Sequence, residues 1–307
     1  MKHMIRILFI TVCICAVIII IDNNVWAEAE KPDAFIIGLI PERNIFKQLE
    51  RYTPLAGYLS KKTGLNIELK ILTRYGNIID NFVSADMDAA FFGSFTYALA
   101  HKKLGVDVIA RPETLDDVSE ECRSSYFGLI FTRKDAGIKT AKDMKGKVFV
   151  FVDKATTAGY LLPLAYFKEN GIDNYNTWFK ETYFAGTHED AIFDVLNKKA
   201  DIGAAKNTIF FELASKDTRI KKDLFILKAS PLVPENALAV RKNLDSSTKH
   251  QLQGALINMH SDPEGIQILK EFGAKRFIET TDQDYKNVYR YADLIGLDLS
   301  TYDYMNE

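Results

Sequence analysis

The amino-acid sequence predicts an α/β protein of two lobes, each a mostly parallel sheet flanked by helices. Short β-branched and apolar runs alternate with helical runs, and the links between them are short. Such alternation is typical of βαβ units. The length of 307 residues also allows two lobes of ordinary size.

The first series of elements ends near residue 110. The first helix, residues 46–63, carries Leu49, Tyr52, Leu55 and Leu59 at helical spacing and is followed by Gly64, which favours a stop. In this part of the chain we expect strands at 34–40, 66–72, 89–92 and 106–110, and further helices at 76–84 and 95–104.

A polar segment at 116–124 leads to a second series of strands and helices that ends near residue 205. A return crossing is expected at 223–234, followed by helices at 246–260, 263–272 and 282–295 that pack back on the first lobe together with the tyrosine-rich tail. The sequence therefore predicts a discontinuous lobe 1, residues 31–124 with 231–307, and an inserted lobe 2, residues 125–230.

The N-terminus has the pattern of a secretory signal peptide. Lys2, His3 and Arg6 precede an apolar run at 7–21, and the small residue Ala27 offers a cleavage site. An uncleaved membrane anchor is the alternative, but the run is short for a span, which needs about 20 apolar residues. We expect residues 1–27 to be removed, with cleavage after Ala29 as the alternative, and the protein to reach the bacterial periplasm.

The bulk composition excludes several function classes. With 47% apolar residues, 26% charged residues and a formal net charge of −2, the chain has no basic excess, so no nucleic-acid partner is expected. His, Cys and acidic residues do not recur at metal-ligand spacing, and no nucleophile elbow or nucleotide-binding motif is present. We expect no metal, no cofactor and no catalysis; a periplasmic enzyme acting on phosphate esters is the weaker alternative.

The segment 153–159 is the most informative one. It joins an apolar strand at 148–152 to a helical run, and it places Thr156 and Thr157 before Ala158 and Gly159. Hydroxyls and unpaired N–H groups at the positive end of a helix dipole suit an oxyanion, although an ordinary helix cap has the same pattern.

The same arrangement recurs twice. Ser94 follows the strand at 87–92, and Thr187 with His188 follows a strand near Tyr183. Ligands of open α/β sheets bind at the carboxyl ends of the strands, and in a two-lobed protein these ends face each other. The three corners therefore predict an interlobe cleft for a small anionic ligand, the architecture of two-lobed periplasmic binding proteins.

Over nearly all of the chain after the signal peptide, the sequence resembles the phosphate/phosphite/phosphonate-binding family, the periplasmic substrate-binding components of ABC importers. The resemblance rests on segments in a fixed order: residues 38–41, 55–64, Tyr75, 88–93, 134–138, 142–147, 153–159, Gly186 with His188, 200–203 and 230–234.

The resemblance implies a set of ligand-binding residues. The Ser-Thr-Ser-Gly motif of the family is Thr156-Thr157-Ala158-Gly159 here, which implies hydroxyl contacts from the two threonines and a backbone contact from Ala158. The helix-start histidine of the family corresponds to His188. One first-lobe tyrosine corresponds to Tyr75, and a second is replaced by Phe92, which cannot donate a hydrogen bond.

Selectivity is expected to depend on a neighbouring group of residues. Members that bind amino-phosphonates carry carboxylates, and the matching positions here are Ile209 and Asn236, neither of which is charged. Lys206 and Asn207 stand close by and suit a more anionic ligand. We therefore expect an amino-phosphonate to be disfavoured, because its ammonium group would lack a partner.

The resemblance implies a type II periplasmic binding fold that closes on a small phosphorus oxyanion. The closed form would dock on an inner-membrane permease that works with a cytoplasmic ATPase. The alternative is a receptor of the same fold that signals to a membrane histidine kinase or a chemoreceptor.

Overall fold

The computed structural model describes residues 34–84, 87–115 and 123–306. The predicted signal peptide at 1–27, most of the polar segment at 116–124 and Cys122 lie outside the described residues.

The strands follow the chain in the predicted alternation for the first two thirds of the sequence. Their bounds are β1 (Phe35–Leu39), β2 (Ile67–Ile71), β3 (Ala89–Phe92), β4 (Asp107–Thr114), β5 (Ser125–Tyr126), β6 (Gly128–Arg133), β7 (Val148–Phe151), β8 (Glu181–Phe184), β9 (Ile202–Lys206), β10 (Leu224–Ala229), β11 (Val233–Pro234), β12 (Ala237–Val240) and β13 (Ala274–Glu279).

The helices lie between these strands and along the C-terminal region. Their bounds are α1 (Ile45–Thr63), α2 (Asn77–Val83), α3 (Ser94–Leu104), α4 (Leu162–Glu169), α5 (Tyr175–Trp178), α6 (His188–Leu196), α7 (Asn207–Lys216), α8 (Thr218–Asp223), α9 (Ser246–Ile257), α10 (Pro263–Phe272) and α11 (Lys286–Leu294). Among the described residues, no helix is both long and apolar enough to cross a membrane.

Two sheets organise the molecule, as expected for a two-lobed α/β fold. The first has the strand order β13-β4-β12-β3-β1-β2, and the second has the order β10-β6-β9-β7-β8. In the first sheet β1 to β4 share one direction, since β12 is antiparallel to both β3 and β4. In the second sheet only β6 runs against the others. A two-stranded antiparallel ribbon of β5 and β11 lies where the chain passes between the two sheets.

The sequence analysis assigned no strand to β12 or β13. All four residues of β12 are buried, so its Ala-Leu-Ala-Val sequence lacks the alternation that identifies a strand with one solvent face. Both strands are antiparallel to their neighbours and pair with residues distant in sequence. Tertiary pairing therefore decides their conformation.

The C-terminal segment contacts both lobes, whereas the sequence analysis expected it to pack on the first. The Tyr302 hydroxyl donates to the carbonyl of Lys154 over 3.0 Å, and its ring lies 5.8 Å from the ring of Phe95. The Asn306 amide donates to the Asp153 carboxylate over 2.8 Å. The tail thus lies across the junction of the two sheets, beside the 153–159 corner.

Candidate ligand-binding site

Most polar groups of the site follow the carboxyl ends of strands that run in the same direction. This position puts them at one edge of each sheet, and the two edges face each other. In chain order these groups are Glu42 after β1, Tyr75 after β2, Ser94 after β3, Thr156 and Thr157 after β7, His188 after β8, and Lys206 as the last residue of β9.

Antiparallel strands contribute the remaining groups from their amino ends, which lie at the same edges. Ala237 at the start of β12 pairs with Phe92 at the end of β3, so the preceding residues Glu235 and Asn236 reach the site. In the second sheet, Gly128 at the start of β6 pairs with Lys206, which brings Tyr126 close.

Backbone geometry fixes the 153–159 corner. Thr156 is extended, with φ −93° and ψ 145°, and a helical turn begins at Thr157. The Thr156 hydroxyl donates to the Asp153 carbonyl over 2.7 Å, so its proton is already used within the turn. A Cβ on Gly159 would lie 2.4 Å from the Cβ of Val152, so only glycine fits where the turn meets the strand.

Thr157 connects the two lobes. Its Oγ1 accepts the N–H of Phe95, in the first turn of α3, over 2.8 Å. The phenol of Tyr126 lies within hydrogen-bond reach of the hydroxyls of Thr157 and Ser94. Thr157 is only 3% exposed, so this contact between the lobes is buried.

Ser94 and Thr96 make further contacts at the start of α3. The Ser94 hydroxyl donates to the Pro234 carbonyl over 2.6 Å. The Thr96 hydroxyl donates to the Ala155 carbonyl of the opposite lobe over 2.8 Å. Hydroxyls from both lobes are therefore interleaved at the N-terminus of this helix.

His188 is held as a neutral donor. Thr187 caps α6 by accepting the Asp190 N–H over 3.0 Å, which places His188 at the first helical position. Its Nδ1 accepts the N–H of Lys206 over 3.3 Å, so the neutral ring carries its proton on Nε2. Burial lowers the pKa of His188 to about 4. At neutral pH the ring therefore offers one N–H and no charge.

Tyr75 supplies a second neutral donor. Its ring lies edge-on to the His188 ring at 6.1 Å, and the residue is 2% exposed. Burial, followed by the nearby carboxylates of Glu42 and Asp153, raises the pKa of Tyr75 well above its ordinary value. Its phenol oxygen has no hydrogen-bond partner in the described part of the chain. A buried, protonated and unpaired O–H is an expected feature of a site that receives an acceptor.

The Lys206 ammonium group lies in a cage of acceptors. Its Nζ is 3.2 Å from Glu42 Oε1, contacts the carboxylate of Glu235, and is 3.1 Å from Asn236 Oδ1. It also lies 4.4 Å from the centroid of the Tyr126 ring. We call these four acceptors, Glu42, Glu235, Asn236 and Tyr126, the ammonium cage.

Glu42 of the cage and the enclosed Lys206 both remain charged despite their burial. Burial opposes the charge of Glu42, but Lys206 and then Arg43 lower its pKa to about 2. Burial likewise opposes the charge of Lys206, but Glu235 and Glu42 raise its pKa above the ordinary value. Lys206 and Glu42 therefore form a buried ion pair, with Glu235 as a second carboxylate beside the ammonium group. Such a buried arrangement is stable only when the ammonium group is hydrogen-bonded, as it is here.

This arrangement corrects the expectation for the charged part of the site. The sequence analysis found no carboxylate there, because the matched positions are Ile209 and Asn236. Ile209 is buried in the apolar core instead, and the carboxylates come from Glu42 and Glu235. Lys206, expected to be available to an anionic ligand, is already paired with them.

The other expected residues take supporting positions. Phe92 is buried and stacks on Phe82 at 5.7 Å. Asn207 accepts the Phe127 N–H with Oδ1 over 3.0 Å, which ties the end of β9 to the start of β6. Ala158 is buried in the turn after Thr157. The structure gives each of them a packing or hydrogen-bonding role.

Sequence reasoning missed Glu42 and Glu235 and assigned no site role to Tyr126. A signal for Glu42 was available, because it follows Pro41 just beyond the first strand, as Ser94 follows the third. Glu235 and Tyr126 had no such signal, since they precede antiparallel strands whose pairing only the tertiary fold decides.

Beside this buried cluster a cleft of about 860 Å³ opens between the lobes, with Glu42, Lys206 and Glu235 in its wall. Two ion pairs cross the cleft. Arg43 contacts Glu212 at 2.6 Å, and Lys47 contacts Glu189 at 3.3 Å. The described residues contain no group of three or more His, Cys, Asp or Glu side chains that could hold a metal ion.

Several known proteins are similar to this chain over most of its length. The phosphonates-binding periplasmic protein of Escherichia coli is 26% identical over 258 residues, which cover 82% of this chain and 74% of that protein. The phosphate-import protein PhnD of Mycolicibacterium smegmatis is 27% identical over 284 residues, which cover 86% of this chain and 87% of that protein.

The fold is similar to that of PhnD1 from Prochlorococcus marinus, solved in complex with methylphosphonate. The TM-score is 0.73 at 21% identity, with 85% of this chain and 98% of that chain covered. A family profile described as "ABC transporter, phosphonate, periplasmic substrate-binding protein" matches residues 37–285. The chain therefore belongs to the family of periplasmic substrate-binding proteins of phosphonate ABC transporters.

Proposed function

We propose that this protein captures a small phosphorus oxyanion between its lobes and delivers it to an ABC importer. The observation that carries the proposal is the buried, protonated Tyr75 phenol, which has no hydrogen-bond partner among the described residues, beside the neutral N–H donor of His188. An oxyanion between the two groups would accept a hydrogen bond from each, and leaving the buried Tyr75 O–H unpaired costs about 1–3 kcal/mol.

The remaining donors belong to helix N-termini. The turn at Thr157–Leu161 and the helices α3 and α6 all begin at this point. The positive ends of their dipoles, together with the first-turn N–H groups other than those of Phe95 and Asp190, which already bond to Thr157 and Thr187, would stabilise negative charge without a full countercharge. This matches a site in which the Lys206 ammonium group is already paired with carboxylates.

Ligand binding is coupled to closure of the lobes. Thr157 and His188 lie after strands of the second sheet, and Tyr75 and Ser94 after strands of the first. An anion that contacts both sets is bound more tightly by the closed form, and it shifts the population toward that form by this difference in affinity.

The ligand class is tested by titration calorimetry with methylphosphonate, phosphite, phosphate and sulfate. We expect one phosphorus oxyanion to bind with micromolar or better affinity and sulfate to bind at least tenfold more weakly. No heat and no thermal stabilisation with any of the phosphorus compounds would overturn the proposal. Relatives are named for phosphonates and for phosphate import, which supports this panel.

Family membership supports transport over the sensing alternative. We propose export to the periplasm after cleavage of residues 1–27, and partnership with an inner-membrane permease and its cytoplasmic ATPase. We further propose lobe 1 as residues 31–124 with 231–307 and lobe 2 as residues 125–230. A periplasmic fraction that contains the intact precursor mass, or none of the protein, would contradict the export part.

A further inference from the structure

The ammonium cage has more acceptors than a lone salt bridge needs. Glu42 and Asn236 are buried, and the Glu235 side chain is only 18% exposed. Two carboxylates, one amide oxygen and the face of an aromatic ring surround a single ammonium group. Three acceptors and a ring face are what a primary ammonium ion requires when it leaves water.

The cage adjoins the donors proposed for the oxyanion. The ring of Tyr126 faces the Lys206 ammonium, while its phenol reaches the hydroxyls of Thr157 and Ser94. The backbone N–H of Lys206 donates to His188. A cation subsite and an anion subsite therefore lie side by side, separated by the length of one tyrosine side chain.

We propose that the cage is a binding subsite for primary ammonium groups and that Lys206 is its tethered occupant. The lysine fills the place that a ligand amino group would take. The protein would thereby select phosphorus oxyanions without an amino group; this consequence for ligand choice rests on the proposed function, whereas the cage itself does not.

A purely structural role for Lys206 is the competing explanation. Lys206 is in the second sheet, whereas Glu42 and Glu235 flank strands of the first, so the lysine could serve only to hold the lobes closed. The two explanations differ in one respect. A subsite emptied of its lysine should bind a small free ammonium ion, and a simple interlobe latch should not.

The test uses Lys206→Ala with ethylammonium chloride at pH 8. The substitution removes three carbons and the ammonium, which leaves room for ethylammonium. We expect the added ion to raise the melting temperature of this variant by about 3 °C or more. The wild-type protein should not respond, and equal concentrations of potassium chloride or tetramethylammonium chloride should have no such effect.

Lys206→Met is the matched control. It removes the same charge but fills the space, so ethylammonium should not stabilise it. Adding Glu42→Gln to the Ala variant should abolish the response. If the Ala variant is unfolded in buffer, recovery of its circular dichroism spectrum with ethylammonium is the same test. No stabilisation and no recovery, or an equal response in the Met variant, would overturn the proposal.

A second titration separates this proposal from the function. In wild-type protein, ethylphosphonate should bind at least about tenfold more tightly than 2-aminoethylphosphonate, and Lys206→Ala should reverse or abolish that preference. Ethylammonium rescue without any phosphonate binding would refute the proposed function and leave the cage standing. Phosphonate binding without ethylammonium rescue would refute the ammonium subsite and leave the proposed function standing.

Discussion

Thr157→Val tests whether the Thr157 hydroxyl contacts the ligand. The valine keeps the shape of the side chain but removes an oxygen that accepts the Phe95 N–H at 2.8 Å. A buried N–H left unpaired costs about 1–3 kcal/mol, and a hydrogen bond to a charged ligand contributes about 1.5–3 kcal/mol. Together these losses should weaken oxyanion binding by about a hundredfold or more.

Thr96→Val provides a matched control, because Thr96 is also fully buried and also bonds across the lobes. Its hydroxyl donates to the Ala155 carbonyl at 2.8 Å. Losing that interlobe bond costs about 1 kcal/mol, or about fivefold in affinity, through weaker closure alone. The comparison thus separates the cost of closure from the loss of a ligand contact.

The assay is calorimetric titration of both variants with whichever phosphorus oxyanion binds the wild-type protein most tightly. Melting temperatures measured without ligand check that both variants are folded. We expect Thr157→Val to bind at least tenfold more weakly than Thr96→Val. Affinities of the two variants within about threefold of each other would refute the argument, because Thr157 would then act only through closure.

Three further predictions follow from the geometry. The pKa of His188 is about 4 when folded and 6.5 ordinarily, so the unfolded chain binds a proton first and stability falls as pH drops from 6.5 toward 4. The free energy of unfolding should fall by about 3 kcal/mol over this range. Urea unfolding at several pH values should show a smaller fall in the His188→Asn variant. A double-mutant cycle of Arg43→Ala and Glu212→Gln, read by ligand affinity, should give a coupling of about 0.5–1 kcal/mol, since Glu212 is partly exposed; zero coupling would show that this ion pair does not favour closure. Gly159→Ala places a methyl group against Val152, so it should lower stability to thermal unfolding by about 1–3 kcal/mol, and an unchanged melting temperature would contradict the packing argument.

The site could be predicted to the extent that it depends on local pattern. Thr157, Ser94 and His188 each follow a strand and open a helix, and such a junction is visible in the sequence. The edge of the sheet at which such a junction lies is also predictable, because right-handed βαβ units bring the carboxyl ends of parallel strands to one edge. These residues do lie together in the structure.

Groups that reach the site through antiparallel strands were not predictable in this way. Glu235 and Tyr126 precede β12 and β6, and nothing local reveals that these strands begin at the edge where the others end. For the same reason the sequence suggested a free cation at Lys206. Its pairing with Glu42 spans 164 positions along the chain and is decided by the meeting of two lobes.

The alternation of strands and helices, the pattern of a signal peptide and the helix-opening hydroxyls can be read from local sequence, because each depends on residues close together in the chain. Three properties of the site arise only in the folded chain: the Thr156 proton is used within its own turn, His188 is neutral, and Lys206 is enclosed by carboxylates. Those properties depend on burial and on charges brought from distant segments, and burial is a property of the folded chain.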